Sequence, residues 1–340
     1  MEGNRMIREA IIKLVNKQDL TYDEAYTVMT EILKGKTSPT QNGAFLAALT
    51  TKNTCSETEA EITGCAAAIS SLTAKVDHAY RVTDIVGMGS DSFDASIVSS
   101  LVLAAAGAKV AKHGKRSGVS RNCEADCFEA LGVKVEQSPE KASELLDGVG
   151  TCFMLDSLYN RSSENVAPVV KELGFRTVFD ILDPMINPAS PSYTVLGVNS
   201  EHLVLPLAHV LTALGVRKGM VVYGQDGTDG FSCSSPSTFC DFEGDDYAVY
   251  TTTPEEFGLP RHRRDELLSD SVEDTVRTSQ AIISGSRGPK YDLALLSSAA
   301  GLTVSGKASD FRDGIELADK LLGDGKVSEL LARYRTESNR

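Results

Sequence analysis

A change of hydrophobic period near residue 76 constrains this chain more than any other feature. Before it, over residues 7–71, apolar side chains recur at helical spacing: Ile11, Ile12, Leu14 and Val15, then Ala25, Val28, Met29, Ile32 and Leu33, then Phe45, Leu46 and Leu49. After Val76-Asp77-His78 the pattern becomes short apolar runs alternating with helical stretches: 83–86, 108–111, 151–154, 195–198, and 219–222 with Tyr223. Alternation of this kind requires a mostly parallel central sheet covered by helices, with ligands at the carboxyl ends of the strands. The expected fold is α/β: a small helical domain over residues 1–75, with a contribution from a hinge segment at about 165–195, and a larger α/β domain over 76–340.

Helix starts in the first part are written in capping residues. Thr21 has Glu24 three residues on, Thr37-Ser38-Pro39 precedes Gln41, and Ser56 has Glu59. About four helices follow.

Two loops after strands carry the chemistry. The first is Gly87-Met88-Gly89-Ser90-Asp91-Ser92, where glycine lets the backbone approach a ligand and the helix opening near Ser96 points free N–H groups at the same space. A phosphate fits such a turn, although a tight strand-to-helix connection would use the same glycines. The second loop places Lys109, Lys112, His113, Lys115 and Arg116 within eight residues, in a chain of formal net charge −13. That concentration points to an anion pocket. A third segment, Gly224-Gln225-Asp226-Gly227-Thr228-Asp229-Gly230, sets two carboxylates on a turn. Mg²⁺ is commonly held by one or two carboxylates plus substrate phosphates; an ordinary Asp-Gly turn explains the segment equally well on its own.

Composition excludes other classes. The 340 residues are enough for a large core or two domains. No apolar run approaches the roughly 20 residues of a membrane helix. Met1-Glu2-Gly3-Asn4-Arg5 leads into an amphipathic segment, so no cleavable leader is expected, and the predicted setting is the cytoplasm. The acidic balance argues against a nucleic-acid surface. The seven cysteines (55, 65, 123, 127, 152, 233 and 240) form no disulfide or zinc pattern and read as structural thiols.

Over almost its whole length the chain resembles the anthranilate phosphoribosyltransferase family. The resemblance is carried by Asp84-Ile85-Val86-Gly87, Ala108-Lys109-Val110-Ala111-Lys112-His113-Gly114, Glu172-Leu173-Gly174-Phe175-Arg176-Thr177-Val178-Phe179, Asn187-Pro188-Ala189 and Asp226-Gly227. It implies transfer of the phosphoribosyl group of phosphoribosyl pyrophosphate to the amine of anthranilate, with Mg²⁺ on the leaving group and no covalent intermediate. It further implies a homodimer built through the helical domain. By the same resemblance the donor would meet Gly87, Gly89, Asp91, Ser96, Lys112, His113, Arg116 and Ser120. The acceptor would meet Gly87, Lys115 and Arg176, with Ser96 and Asp229 near the metal.

Departures from the family pattern fall in the site. Met88, Ser90 and Ser92 replace a threonine and two glycines of its glycine motif, and two or three residues are missing before Phe93. Asp94 and Ile97 replace Asn and Thr, Glu124 replaces a serine, and Lys115 an asparagine; Tyr159-Asn160 stands for His-His, Asp183 for the glycine of a Gly-Pro, and Gly230 for a glutamate. Each new carboxylate beside a phosphate repels it by roughly 1 kcal/mol at 4 Å in water and about 4 kcal/mol in a shielded site. Three readings stay open: an anthranilate transferase, a relative with a changed donor or acceptor (nucleoside phosphorolysis being the weaker form), and a binding protein without turnover.

Overall fold

The computed structural model describes residues 5–52, 57–116 and 124–340. Helices α1 (Arg5–Val15), α2 (Tyr22–Leu33), α3 (Pro39–Thr51) and α4 (Glu59–Leu72) form the expected bundle. Thr21 with Glu24 and Ser38 with Gln41 make the expected capping boxes, and Pro39 opens α3. The start of α4 differs: its cap is Thr58 with Glu61. Ser56 lies outside the described residues. Glu61 wins because it also turns inward, where its fully buried carboxylate accepts the Leu20 N–H at 2.8 Å and pairs with buried Lys52 at 2.9 Å.

The second part follows in the order β1 (Val82–Gly87), α5 (Ala95–Ala105), β2 (Lys109–Gly114), α6 (Glu124–Ala130), α7 (Pro139–Gly148), β3 (Thr151–Leu155) and α8 (Asp156–Tyr159). It continues with α9 (Ala167–Leu173), α10 (Val178–Leu182), β4 (Tyr193–Gly197), α11 (Val204–Ala213), β5 (Lys218–Gly224), β6 (Ser237–Glu243) and β7 (Asp246–Thr252). Helices α12 (Val272–Ile283), α13 (Pro289–Val304), α14 (Phe311–Gly323) and α15 (Lys326–Ser338) close the chain.

All five strands read from the sequence are present, and they run parallel in the order β3-β2-β1-β4-β5. An antiparallel hairpin, β6-β7, extends the sheet beyond β5 and was not anticipated. The fold is therefore the expected one, a helical bundle joined to a mostly parallel sheet flanked by helices. Strand order reverses direction between β1 and β4, whose last residues, Gly87 and Gly197, are register partners. A crevice opens at such a switch point.

Two apolar cores flank the sheet. One joins α5, α7 and α12 to α15 to one face. The other joins the bundle to α10, α11 and the opposite face, through Val86, Leu196, Val198 and Val221. Residues 166–186 belong to this second core, which brings the approach to the site under the bundle.

Candidate active site

A cavity of about 800 Å³ lies over the β1–β4 switch point. Its floor is the pair Gly87 and Gly197, onto which the 224–230 loop folds so closely that a Cβ at either glycine would collide with Asp229. Glycine is required there by space rather than by φ. Asp229 Oδ2 accepts the Gly89 N–H at 2.6 Å, and Ser92 Oγ meets Thr228 Oγ1 at 2.9 Å, so the glycine turn is stitched to this loop.

On its other side the turn is tied to residues 264–269. Phe93 N–H donates to the Leu267 carbonyl at 2.8 Å, Ser269 N–H to the Asp91 carbonyl at 3.0 Å, and Arg264 Nη2 to Asp91 Oδ1 at 2.6 Å. Asp91, expected at the donor, is thereby paired with Arg264. Asp94 caps α5: its Oδ1 accepts Ser96 N–H at 3.0 Å and Ser96 Oγ–H at 2.6 Å. The chain's own carboxylates thus occupy amide donors of the glycine turn and of the α5 N-terminus. Ile97 points into the core and is fully buried.

The basic loop is neutralised in a similar way. Lys112 is buried, donates to the Ile85 carbonyl at 2.9 Å and lies 3.8 Å from Glu124. His113 is buried between Asp84 at 3.2 Å and Asp156 at 3.3 Å. Burial works against its charge, but the two carboxylates prevail and raise the imidazole to about 10, so it is an imidazolium at neutral pH. Lys115 bonds Asp183. Arg116 is gripped by Glu129 (Nη2 to Oε1 2.7 Å) and by Glu136 at 2.9 Å. Ser120 lies outside the described residues.

Three carboxylates look into the donor side: Asp94, Glu124 and Asp229. Burial pushes Glu124 up to about 7, with Asp94 adding to it and Lys112 opposing. Burial likewise lifts Asp229 to about 6, against hydrogen bonds from Ser90 and Gly89, and Asp94 again adds. Gly230 leaves that loop with one carboxylate facing the cavity.

At the far end of the cavity stand Phe175, Arg176 and Phe179. Arg176 donates to Asn199 Oδ1 at 2.8 Å and rests 3.9 Å from the Met88 sulfur. Among the described residues that line the cavity, Arg176 and Lys171 are the cations with no carboxylate partner. Most of the sequence-derived set therefore converges on one cavity: Gly87, Met88, Gly89, Asp94, Ser96, His113, Lys115, Arg116, Glu124, Arg176, Asp183, Asp229 and Gly230. Asp91, Ser90, Lys112 and Ile97 are not on its wall. Sequence reasoning missed Asp156, Asp180 and Arg264. Asp156 directly follows β3 and was findable by the strand-end rule; Arg264 carries no local mark.

This two-part architecture, with a cleft at a parallel-sheet switch point, is that of a glycosyl transferase. The helical bundle domain of the glycosyl transferase family matches residues 8–72, and its a/b domain matches 79–328. The chain is 40% identical to the anthranilate phosphoribosyltransferase of Methanobrevibacter smithii over 337 residues, covering 98% of this chain and 100% of that one. It is also 40% identical to that of Lacticaseibacillus paracasei, over 98% of both chains. The crystal structure of anthranilate phosphoribosyltransferase from Thermus thermophilus superposes with a TM-score of 0.90 at 34% identity, over 97% of this chain and 99% of that one. The chain belongs to the anthranilate phosphoribosyltransferase family. The Saccharomyces cerevisiae enzyme in complex with PRPP and Mg shares the fold, with a TM-score of 0.88 at 22% identity and 98% of both chains covered.

Proposed function

We propose that this protein transfers the phosphoribosyl group of phosphoribosyl pyrophosphate to the amine of anthranilate, the step its family name describes in tryptophan biosynthesis. The observation that carries the proposal within the site is Arg176. In a cavity where His113, Lys115 and Arg116 are met by carboxylates, its planar guanidinium stands in the same wall as Phe175 and Phe179 without one, which suits an aromatic carboxylate. The donor takes the glycine-turn end, with Gly87, Gly89, Ser96, His113 and Arg116 around it, and Lys112 behind. Chemistry of this kind depends on positioning and on charge stabilisation as pyrophosphate departs, rather than on a nucleophilic side chain.

Magnesium fits the donors present. Asp229 and Ser96, with Asp94 beside them, offer hard oxygen atoms. Among the described residues no group of three or more His, Cys, Asp or Glu is arranged to hold an ion unaided. The ion would complete its shell with water and pyrophosphate, and when bound it neutralises the leaving group. Its charge also answers the carboxylates that already fill the anion-binding amides.

The division into a helical domain at 1–75 and an α/β domain at 76–340, closing over the cleft, belongs to the same proposal, as do a cytoplasmic setting and a homodimer. Exposed Ile12 and Val15 on α1, 62% and 63% accessible, support pairing through the bundle. Among the described residues no helix is long and apolar enough to cross a membrane.

Titration calorimetry with phosphoribosyl pyrophosphate and Mg²⁺, followed by loss of anthranilate fluorescence in the same mixture, tests the proposal. Donor binding in the micromolar range with turnover is the expected result. Binding without turnover would favour a different acceptor. No binding at millimolar donor would favour the non-catalytic reading, for which Asp94 and Asp229, seated on the amides a phosphate would use, are the specific observation.

A further inference from the structure

What holds Arg176 in place carries no charge. Its Nη1 donates to Asn199 Oδ1 at 2.8 Å, and its Nη2 lies 3.9 Å from the Met88 sulfur. Both partners stand beside it on the cavity wall. Both are also firmly placed. Met88 directly follows β1, and its N–H donates to the Gly197 carbonyl at 3.1 Å. Asn199 lies two residues beyond β4, next to Val198, whose N–H still donates to the Val222 carbonyl at 2.8 Å. Arg176 itself belongs to the connection between α9 and α10. The ends of the two strands that pair at the switch point therefore fix a side chain supplied by a loop. A long guanidinium fixed in advance loses less freedom when a ligand arrives.

The neutrality of these partners matters as much as their position. Elsewhere in the site Asp156 meets His113, Asp183 meets Lys115 and Glu129 meets Arg116. A carboxylate in place of the Asn199 amide would have the same shape and reach, and would make the stronger, charge-assisted bond to Arg176. An anionic ligand would then compete with the chain's own anion. An amide oxygen instead orients the guanidinium through one of its five N–H groups and leaves its charge and the other donors for a ligand. The Met88 thioether is a weak acceptor and competes little.

Resting on the reading of Arg176 as the partner of the acceptor's carboxylate, we propose that Asn199 is a positioning and specificity-determining residue. It holds Arg176 without neutralising it, and so sets a preference for an anionic over a neutral aromatic acceptor. Met88 steadies the same guanidinium from the end of β1.

Titration calorimetry with anthranilate and with 2-aminobenzamide, its uncharged isostere, tests this on the wild type, Asn199→Asp and Asn199→Leu, alongside acceptor KM, kcat and thermal unfolding of each protein. The wild type is expected to prefer anthranilate. Asn199→Asp keeps the hydrogen bond but neutralises the cation: anthranilate should weaken about 10- to 100-fold, the range of a hydrogen bond to a charged group, and 2-aminobenzamide by no more than about threefold. The loss should appear in acceptor KM, with kcat within about threefold of wild type. Asn199→Leu keeps the charge and loses the anchor, so anthranilate should weaken only about 3- to 10-fold and remain preferred. Equal losses for both ligands in Asn199→Asp would reduce Asn199 to a structural role and overturn the proposal, as would an unchanged preference in the folded variant; neither result touches the transferase reading if the wild type consumes anthranilate. A wild type that shows the preference, and loses it in Asn199→Asp, yet never consumes anthranilate overturns the transferase reading and upholds the role of Asn199. A wild type that binds neither ligand overturns both.

Discussion

Replacing Glu124 with Gln should tighten donor binding, and by an amount that depends on pH. The Glu124 carboxylate lines the donor end of the cavity, 3.8 Å from Lys112 Nζ. Burial holds it up to about 7, so it changes charge across the neutral range. At an effective dielectric of about 20 and a separation of about 6 Å from a bound phosphate, one such charge repels by roughly 2.8 kcal/mol, or about 100-fold in affinity. At pH 8.5 the carboxylate is ionised and the whole effect operates; at pH 5.5 it is protonated and the effect is gone. The donor's own phosphate also titrates near pH 6, but that contribution cancels in the ratio of variant to wild type. Calorimetric titration of both proteins with phosphoribosyl pyrophosphate and Mg²⁺ should give Glu124→Gln a dissociation constant about 30 to 100 times lower at pH 8.5, and within threefold at pH 5.5. Equal affinities at pH 8.5, or an equal gap at both pH values, would refute the assignment of Glu124 as a charge opposing the donor.

Other perturbations test the scaffold and the metal end. Lys52→Met strands the buried Glu61 carboxylate without its counter-ion and should cost about 3–5 kcal/mol in urea unfolding; a loss under 1 kcal/mol would mean that Glu61 is satisfied by its other hydrogen bonds. Gly197→Ala forces the 224–230 loop off the strand ends, so donor affinity should fall at least 10-fold while the near-native melting curve shows the fold intact; unchanged affinity would separate that loop from the donor. His113 has a folded-state value raised to about 10 from 6.5, so its ion pairs stabilise fully below about pH 6.5 and are lost as pH rises toward 10. The wild type should therefore lose stability across that window more steeply than His113→Gln, and parallel curves would show that the imidazole is not charged.

The fold was more legible than the site because its determinants are local. Each parallel strand is a short apolar run followed by turn residues, and α2, α3 and α4 each open on a side chain three residues from its capping partner. The β6-β7 hairpin escaped notice because Ser237-Thr238-Phe239-Cys240-Asp241-Phe242-Glu243 alternates only weakly, and its value lies in covering β5. The composition of the site was legible as well, through glycines and cations after strands. Its charge state was not. Lys115 meets Asp183 across 68 residues and Arg264 meets Asp91 across 173, so no window of sequence reveals that the basic loop is already neutralised. Asp94 and Glu124 could be recognised as unusual, but that Asp94 crowds both Glu124 and Asp229 is a fact of geometry.

The second apolar core, in which the bundle, residues 166–186 and one sheet face are packed as a single cluster, bears on how this protein breathes. Amide protons of α2, α4 and α10 share that cluster and should exchange with solvent as one cooperative unit. The wall that carries Arg176 and Asp183 then cannot loosen by itself. A mutation deep in the bundle, such as one at Phe45, would reach the cleft as a change in how often that wall is present, with no side chain of the site altered.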